Sequence, residues 1–253
     1  MEYSYLSDSV EVKKVEEDDK KGVFHIEGLY TGYGQTIGNA LRRVLLSSIP
    51  GAAISKVKVK DVEHEFSTIP GMKEDVVEFT LNLKQVKFNF MADEPQVLQL
   101  NVNGSGEVTA GDIEETTMVE VVNPDTHIAQ LTDDSASLEA ELTVEKGLGY
   151  QTAEERKSEE SLPIGTIMLD CIFSPIENVN FEIENMRVEE KTDYNRVKLT
   201  IETDGSILPS EALHKAGSIL EDHFSAIISQ VSVEGSEKKN SEEDNSEEDN
   251  EEE

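Results

Sequence analysis

The chain has 253 residues, 22 basic against 54 acidic, and a formal net charge of −32. The last twenty residues, from Glu234, hold 11 acids and two bases, which leaves −23 on residues 1–233. So acidic a chain lacks the clustered Lys and Arg with which a protein neutralises phosphates over a broad face, and this counts against extensive direct nucleic-acid binding. An acidic surface suits solubility or docking to a basic partner.

At 36% hydrophobic residues the chain can bury a core, and its length fits one or two domains. No apolar run approaches the ~20 residues of a membrane span. The start, Met1-Glu2-Tyr3, has neither the basic nor the apolar part of a leader. Cys171 is the single cysteine, so no internal disulfide forms and a reducing, cytoplasmic setting is expected.

Residues 9–30 alternate weakly through Val10, Val12, Val23, Phe24, Ile26 and Leu29. Glu16-Glu17-Asp18-Asp19 and Gly22 read as a turn between two strands. A glycine-rich bend over 28–34 follows. Ile37, Ala40, Leu41, Val44, Leu45 and Ser48 then mark one face of a helix over 36–49, ended by Pro50-Gly51. Residues 54–145 read as β. Val57 and Val59 alternate with lysines, and Val77, Phe79, Leu81 and Leu83 alternate with polar residues. The phase flips at Gln85, which predicts a bulge or tight turn before Val86, Phe88 and Phe90. Short runs follow at 98–102, 118–122 and 138–144. This spacing predicts antiparallel pairing, and no helix-length crossover marks a parallel sheet.

Residues 146–165 read as a polar loop. A hairpin follows, with Val179, Phe181 and Ile183 on one arm and Val197, Leu199 and Ile201 on the other. Its bend is placed at 191–195, and Thr203-Asp204-Gly205-Ser206 makes a further turn. A second helix opens at Pro209-Ser210, with Pro209 outside it. Its stripe, Leu213, Ala216, Leu220, Phe224, Ile227, Ile228 and Val231, is wide enough to require a partner: the first helix or a second copy of the chain. After Gly235 the apolar pattern stops, and Ser241-Glu242-Glu243-Asp244-Asn245 repeats as Ser246-Glu247-Glu248-Asp249-Asn250, low-complexity acidic sequence with no means of forming a core.

Motifs for chemistry are sparse. Gly32-x-Gly34-x-x-x-Gly38 opens a helix but lacks the G-x-G-x-x-G spacing of a dinucleotide cradle, so it reads as a tight turn with close backbone packing. His25, His64, His127, His214 and His223 show no metal-ligand spacing and are read as structural. Serine-nucleophile signatures are absent. Cys171 lies among Ile167, Met168, Leu169 and Ile172, an apolar setting that makes a thiol inert. Arg42-Arg43 has two readings that spacing does not separate. One is an ion pair with the acidic surface, and the other is an anchor for a partner protein.

The run Gly34-Gln35-Thr36-Ile37-Gly38-Asn39-Ala40-Leu41-Arg42-Arg43-Val44-Leu45-Leu46-Ser47-Ser48-Ile49-Pro50-Gly51 resembles the bacterial RNA polymerase alpha subunit. So do His64-Glu65-Phe66-Ser67-Thr68, Glu74-Asp75-Val76, Leu81-Asn82-Leu83-Lys84, Leu131-Thr132-Asp133 and Gly147-Leu148-Gly149-Tyr150, in the same order. Pro163-Ile164-Gly165, Ser174-Pro175-Ile176-Glu177 and Arg187-Val188-Glu189 continue the match, which covers about residues 10–232.

The resemblance implies an α+β fold: a split α+β dimerisation domain, 1–50 with 176–233, an inserted β-rich domain, 51–175, and a disordered acidic tail, 234–253. It implies a non-catalytic assembly subunit of DNA-directed RNA polymerase, a nucleotidyltransferase. That subunit forms a homodimer and docks the beta and beta-prime subunits. Arg43, Leu46 and Glu78 fall on the beta-docking surface, and Lys84 and Arg187 match beta-prime docking positions. Ile37, Leu41, Val44, Leu45, Leu220, Phe224 and Ile227 fall at the dimer interface. No cofactor is expected in this chain; Mg²⁺ belongs to beta-prime in the holoenzyme. Family members usually continue into a small promoter-contacting domain, where this chain carries its acidic repeat. DNA is therefore expected to be engaged only through the holoenzyme. A free-standing acidic protein-binding module is the alternative.

Overall fold

The computed structural model describes residues 9–157, 163, 165–188 and 191–231. The acidic tail expected over 234–253 lies outside these, as do Ile164 and Glu189 of the family motifs. The chain divides into two compact units, 1–216 and 217–253.

In the first unit, β1 (Glu11–Glu17) pairs with β2 (Lys21–Leu29) across the expected turn. The turn is held by Asp18, whose Oδ1 accepts from the amides of Lys20 at 2.9 Å and Lys21 at 2.7 Å. The hairpin β13 (Ile176–Val188) and β14 (Lys191–Thr203) completes an antiparallel sheet of order β1-β2-β14-β13. This sheet thus joins strands from both ends of the chain. Helix α1 (Tyr33–Ser48) packs on β13 and β14 through Leu41 and Leu45, which are buried.

The intervening sequence builds its own sheets. β3 (Pro50–Val59), β5 (Gln96–Asn103), β9 (Ser137–Leu148) and β11 (Thr166–Met168) form a second antiparallel sheet of order β11-β3-β9-β5. Antiparallel pairs β4 (Phe88–Phe90) with β7 (Val119–Val121), β6 (Gly106–Thr109) with β8 (His127–Leu131), and β10 (Tyr150–Gln151) with β12 (Cys171–Ile172) surround it. Val57, Phe79, Leu83, Leu100, Ile128 and Leu142 sit in one shared core. The α+β fold is as expected, with antiparallel pairing throughout.

Four local expectations are corrected. Residues 76–83, read as a strand, form the helix α2 (Val76–Leu83). Asp75 caps it by accepting from the Glu78 amide at 2.7 Å, worth about 1 kcal/mol. Val76, Phe79, Thr80 and Leu83 are its buried face, a 3.6-residue period hidden behind the apparent alternation. Burying Val76, Phe79 and Leu83 contributes about 1.5–3 kcal/mol each, more than the few tenths by which valine disfavours a helix. At Gln85 the expected tight turn is present: it closes this helix, with Lys84 as its C-cap and the Gln85 amide donating to the Asn82 carbonyl at 3.0 Å.

The supposed polar loop 146–165 begins as β9, continues as β10 and turns into α3 (Ala153–Lys157). The residues 191–195, read as a bend, belong to β14. Burial explains this: Tyr194 and Asn195 are both buried, and the Tyr194 ring meets Tyr30 edge-on at 5.8 Å. Helix α4 (Pro209–Gln230) includes Pro209 in its first turn, where a missing N–H costs nothing.

Candidate protein-docking surfaces

Helix α1 is seated by small residues. Gly32 precedes it at φ 87°, a backbone that side chains avoid. A Cβ on Gly38 would lie 2.6 Å from the Phe181 ring, and one on Gly34 would lie 3.0 Å from Asn195 Cβ. Asn195 Oδ1 accepts from the Gly32 amide at 2.8 Å and the Gly34 amide at 3.3 Å. A side chain of this chain thereby occupies donors that would face a phosphate in a nucleotide cradle. The glycine run is a packing device, as expected. Asn195 was not foreseen, because it is 157 residues from Gly38 in sequence.

The two arginines separate. Arg42 Nε donates to the Val179 carbonyl at 3.1 Å and ties α1 to β13. Arg43 is exposed, and its guanidinium has no hydrogen bond or ion pair among the described residues. Leu46, one turn along, is 38% exposed. Arg43 and Leu46 therefore present a cation and an apolar group on one face of a rigid helix. Of the four α1 residues assigned to the dimer interface, Ile37 and Val44 are half-buried. Leu41 and Leu45 are already covered by the chain's own sheet.

The loop over 60–75 carries the His64-Glu65-Phe66 motif, and Phe66 is 78% exposed. Its C-terminal half is fastened to β8. The Thr132 amide donates to the Gly71 carbonyl at 2.8 Å, and the Lys73 amide donates to the Gln130 carbonyl at 2.9 Å. Glu74 is buried and accepts from the Gln130 amide at 2.8 Å. Burial alone would raise its carboxyl, yet this backbone bond and the neighbouring His127 outweigh burial and hold it below the usual range. Glu78 is exposed in the first turn of α2.

Lys84, assigned to beta-prime docking, is already engaged. Its Nζ lies 3.0 Å from Asp170 Oδ2, while Asp170 Oδ1 accepts from the Ala153 amide at 2.9 Å. That backbone bond, then Lys84, hold the Asp170 carboxyl below its ordinary value. Lys84 thus positions the start of α3. Arg187 is exposed on β13 and already interacts within the chain.

Cys171 is buried, receives a hydrogen bond from Arg156 Nη1 at 3.0 Å, and is pushed up to about 11 by burial. It stays protonated at neutral pH. Tyr150 and Ile172, register partners, expose large side chains, as does Leu148. Sequence reasoning passed over this patch because Tyr150 and Ile172 are 22 residues apart and only strand pairing brings them together.

In the second unit, the outer part of α4 exposes Phe224, Ile227, Ile228 and Val231, while Leu220 is half-buried. Apolar groups at helical spacing on one exposed stripe mark an interaction surface.

Residues 57–174 match the family described as RNA polymerase Rpb3/RpoA insert domain. The DNA-directed RNA polymerase subunit alpha of Symbiobacterium thermophilum is 50% identical over 220 residues, 87% of this chain and 69% of that one. The subunit of the same name from Alkaliphilus metalliredigens is 46% identical over 220 residues, again 87% of this chain and 69% of the relative. That of Salinibacter ruber is 50% identical over 226 residues, 88% and 67% respectively. With these relatives covered over most of their own length, the chain belongs to the family of DNA-directed RNA polymerase alpha subunits.

Proposed function

We propose that this chain is a non-catalytic assembly subunit of DNA-directed RNA polymerase: two copies pair, and the pair docks beta on one face and beta-prime on another. Arg43 carries the reading. In a chain with 22 basic residues among 54 acidic ones, an exposed arginine with no partner among the described residues is held on a rigid helix beside exposed Leu46. Arginine beside an apolar group is the usual composition of an interface hot spot. The apolar stripe of α4 supports pairing of two copies, with Phe224 and Ile227 as its centre; Ile37 and Val44 of α1, half-buried, are assigned to pairing by the family resemblance. The sheet joining both chain ends is read as the dimerisation domain, with the β-rich insert over 51–175. Lys84 bears on beta-prime docking by holding Asp170 and α3, and Arg187 borders the same function. Nucleotidyl transfer is a property of the assembled enzyme, and DNA is reached through its large subunits.

Arg43→Ala tests the reading. The variant forms dimers by sedimentation, while retention of beta falls about tenfold or more, the scale of an interface hot spot. Unchanged affinity for beta removes Arg43 as the anchor.

A further inference from the structure

His127, at the start of β8, bridges two carboxylates from two other segments. Its Nδ1 lies 3.0 Å from Glu107 Oε1 on β6, and its Nε2 lies 3.2 Å from Glu74 Oε1 in the loop over 60–75. Ionised carboxylates only accept hydrogen bonds, so both ring nitrogens must donate, and only the imidazolium does that. Neutral imidazole turns a lone pair toward one of the two acids. Glu74 and Glu107 are the charged groups that act on the ring. The two are unequal: Glu107 is exposed, whereas the Glu74 side chain is 6% exposed and has few other ways to be solvated. Among the described residues no group of His, Cys, Asp or Glu has the arrangement of a metal site. The cluster is accounted for by the proton alone.

We propose that His127 is a protonation-dependent latch on the loop over 60–75: the imidazolium clamps Glu74 against β6 and β8, and the neutral ring loosens it. The exposed Phe66 belongs to the same loop, so the order of that loop's surface depends on pH. Its relevance to beta docking rests on the function proposed above; the latch itself does not.

The hydrogen bond to Glu107 raises the His127 imidazolium above its ordinary value, burial opposes this, and Glu74 adds to it. A raised group stabilises fully below its unfolded value, about 6.5, and its contribution is lost as pH rises through the folded value. The loop is therefore tight below about pH 6.5 and loosens on the alkaline side.

The test uses the full chain without large subunits. Amide hydrogen exchange over residues 63–75 is followed from pH 6 to 9, corrected for intrinsic rates, beside an NMR titration of the His127 ring. Loop opening is expected to rise about tenfold, the scale of one charge-assisted hydrogen bond, with the midpoint of the ring. His127→Gln abolishes the transition. Glu107→Gln, at an exposed site that leaves the fold intact, moves the midpoint down toward about 6.5. Flat exchange across this range, or a transition that persists in His127→Gln, overturns the latch. Neither result depends on beta, so a failed latch and a failed docking assignment are told apart by Arg43→Ala.

Discussion

Single residues on α1 show how one helix divides two jobs between two faces. Gly38 lets the helix approach Phe181, and Arg42 fixes the same helix to β13, so that Arg43 and Leu46 are presented outward. Gly38→Ala separates the competing effects. An alanine gains about 1 kcal/mol in a helix interior. Its Cβ, however, would stand 2.6 Å from the Phe181 ring, and overpacking of that kind costs about 1–3 kcal/mol. Steric cost wins, and a net loss of about 1 kcal/mol is expected. The urea midpoint reports it, and a midpoint that rises would mean that Phe181 yields freely. Lys84 makes the complementary point. A lysine whose motif resembles a docking position spends its charge on Asp170, which in turn holds the start of α3.

At the scale of elements, the end of α4 leaves a run of apolar side chains uncovered within the described chain. Phe224, Ile227, Ile228 and Val231 are all more than half exposed. Burying Phe224 and Ile228 against a second copy contributes about 1.5–3 kcal/mol each. Each pair carries both replacements twice, so glutamate at the two positions is expected to weaken pairing by about 6–12 kcal/mol, more than four decades in Kd. Sedimentation at micromolar concentration should show the variant as single chains and the parent as pairs. Circular dichroism should not change, because neither side chain is buried within the chain. Equal sedimentation of the two proteins would discard α4 as the pairing surface. The same helix shows what was legible in the sequence. α1 and α4 were readable because their apolar period is 3.6 over several turns. α2 was not, because Val77, Phe79, Leu81 and Leu83 also satisfy a period of two over only eight residues; Asp75 as a cap was the overlooked signal. The hairpin arms were legible, but its bend was misplaced, since Tyr194 and Asn195 look like turn residues and are buried by contacts with β2 and α1. Arg42 and Arg43 were indistinguishable because sequence carries no record of the Val179 carbonyl.

For the whole molecule, charge is the dominant quantity, and its two consequences oppose each other. Ion pairs such as Lys13 with Glu27 at 2.7 Å, Lys21 with Glu202 at 2.8 Å and Lys60 with Glu139 at 2.8 Å lose strength as salt screens them. Each lysine is half exposed or more, so solvent and salt leave such pairs weak. Against them stands −23 on residues 1–233, whose mutual repulsion falls as the Debye length shrinks from about 10 Å at 0.1 M salt to about 3 Å at 1 M. With 43 acids against 20 bases there, most carboxylates have no cation to pair with, and repulsion outweighs the pairs. Raising sodium chloride from 0.05 to 0.5 M should therefore stabilise the fold. A gain of about 1 kcal/mol corresponds to a rise in Tm of about 2–4 °C for a chain of this size. Scanning calorimetry at fixed pH 7 measures it. A Tm that falls with salt would mean that the ion-pair ladders on the outer faces of the sheets outweigh the net charge. The same screening acts on Arg43, an exposed cation in this acidic setting, and under the proposed docking role it would weaken attraction to acidic groups of beta. Stability and beta docking are thus expected to respond to salt with opposite signs.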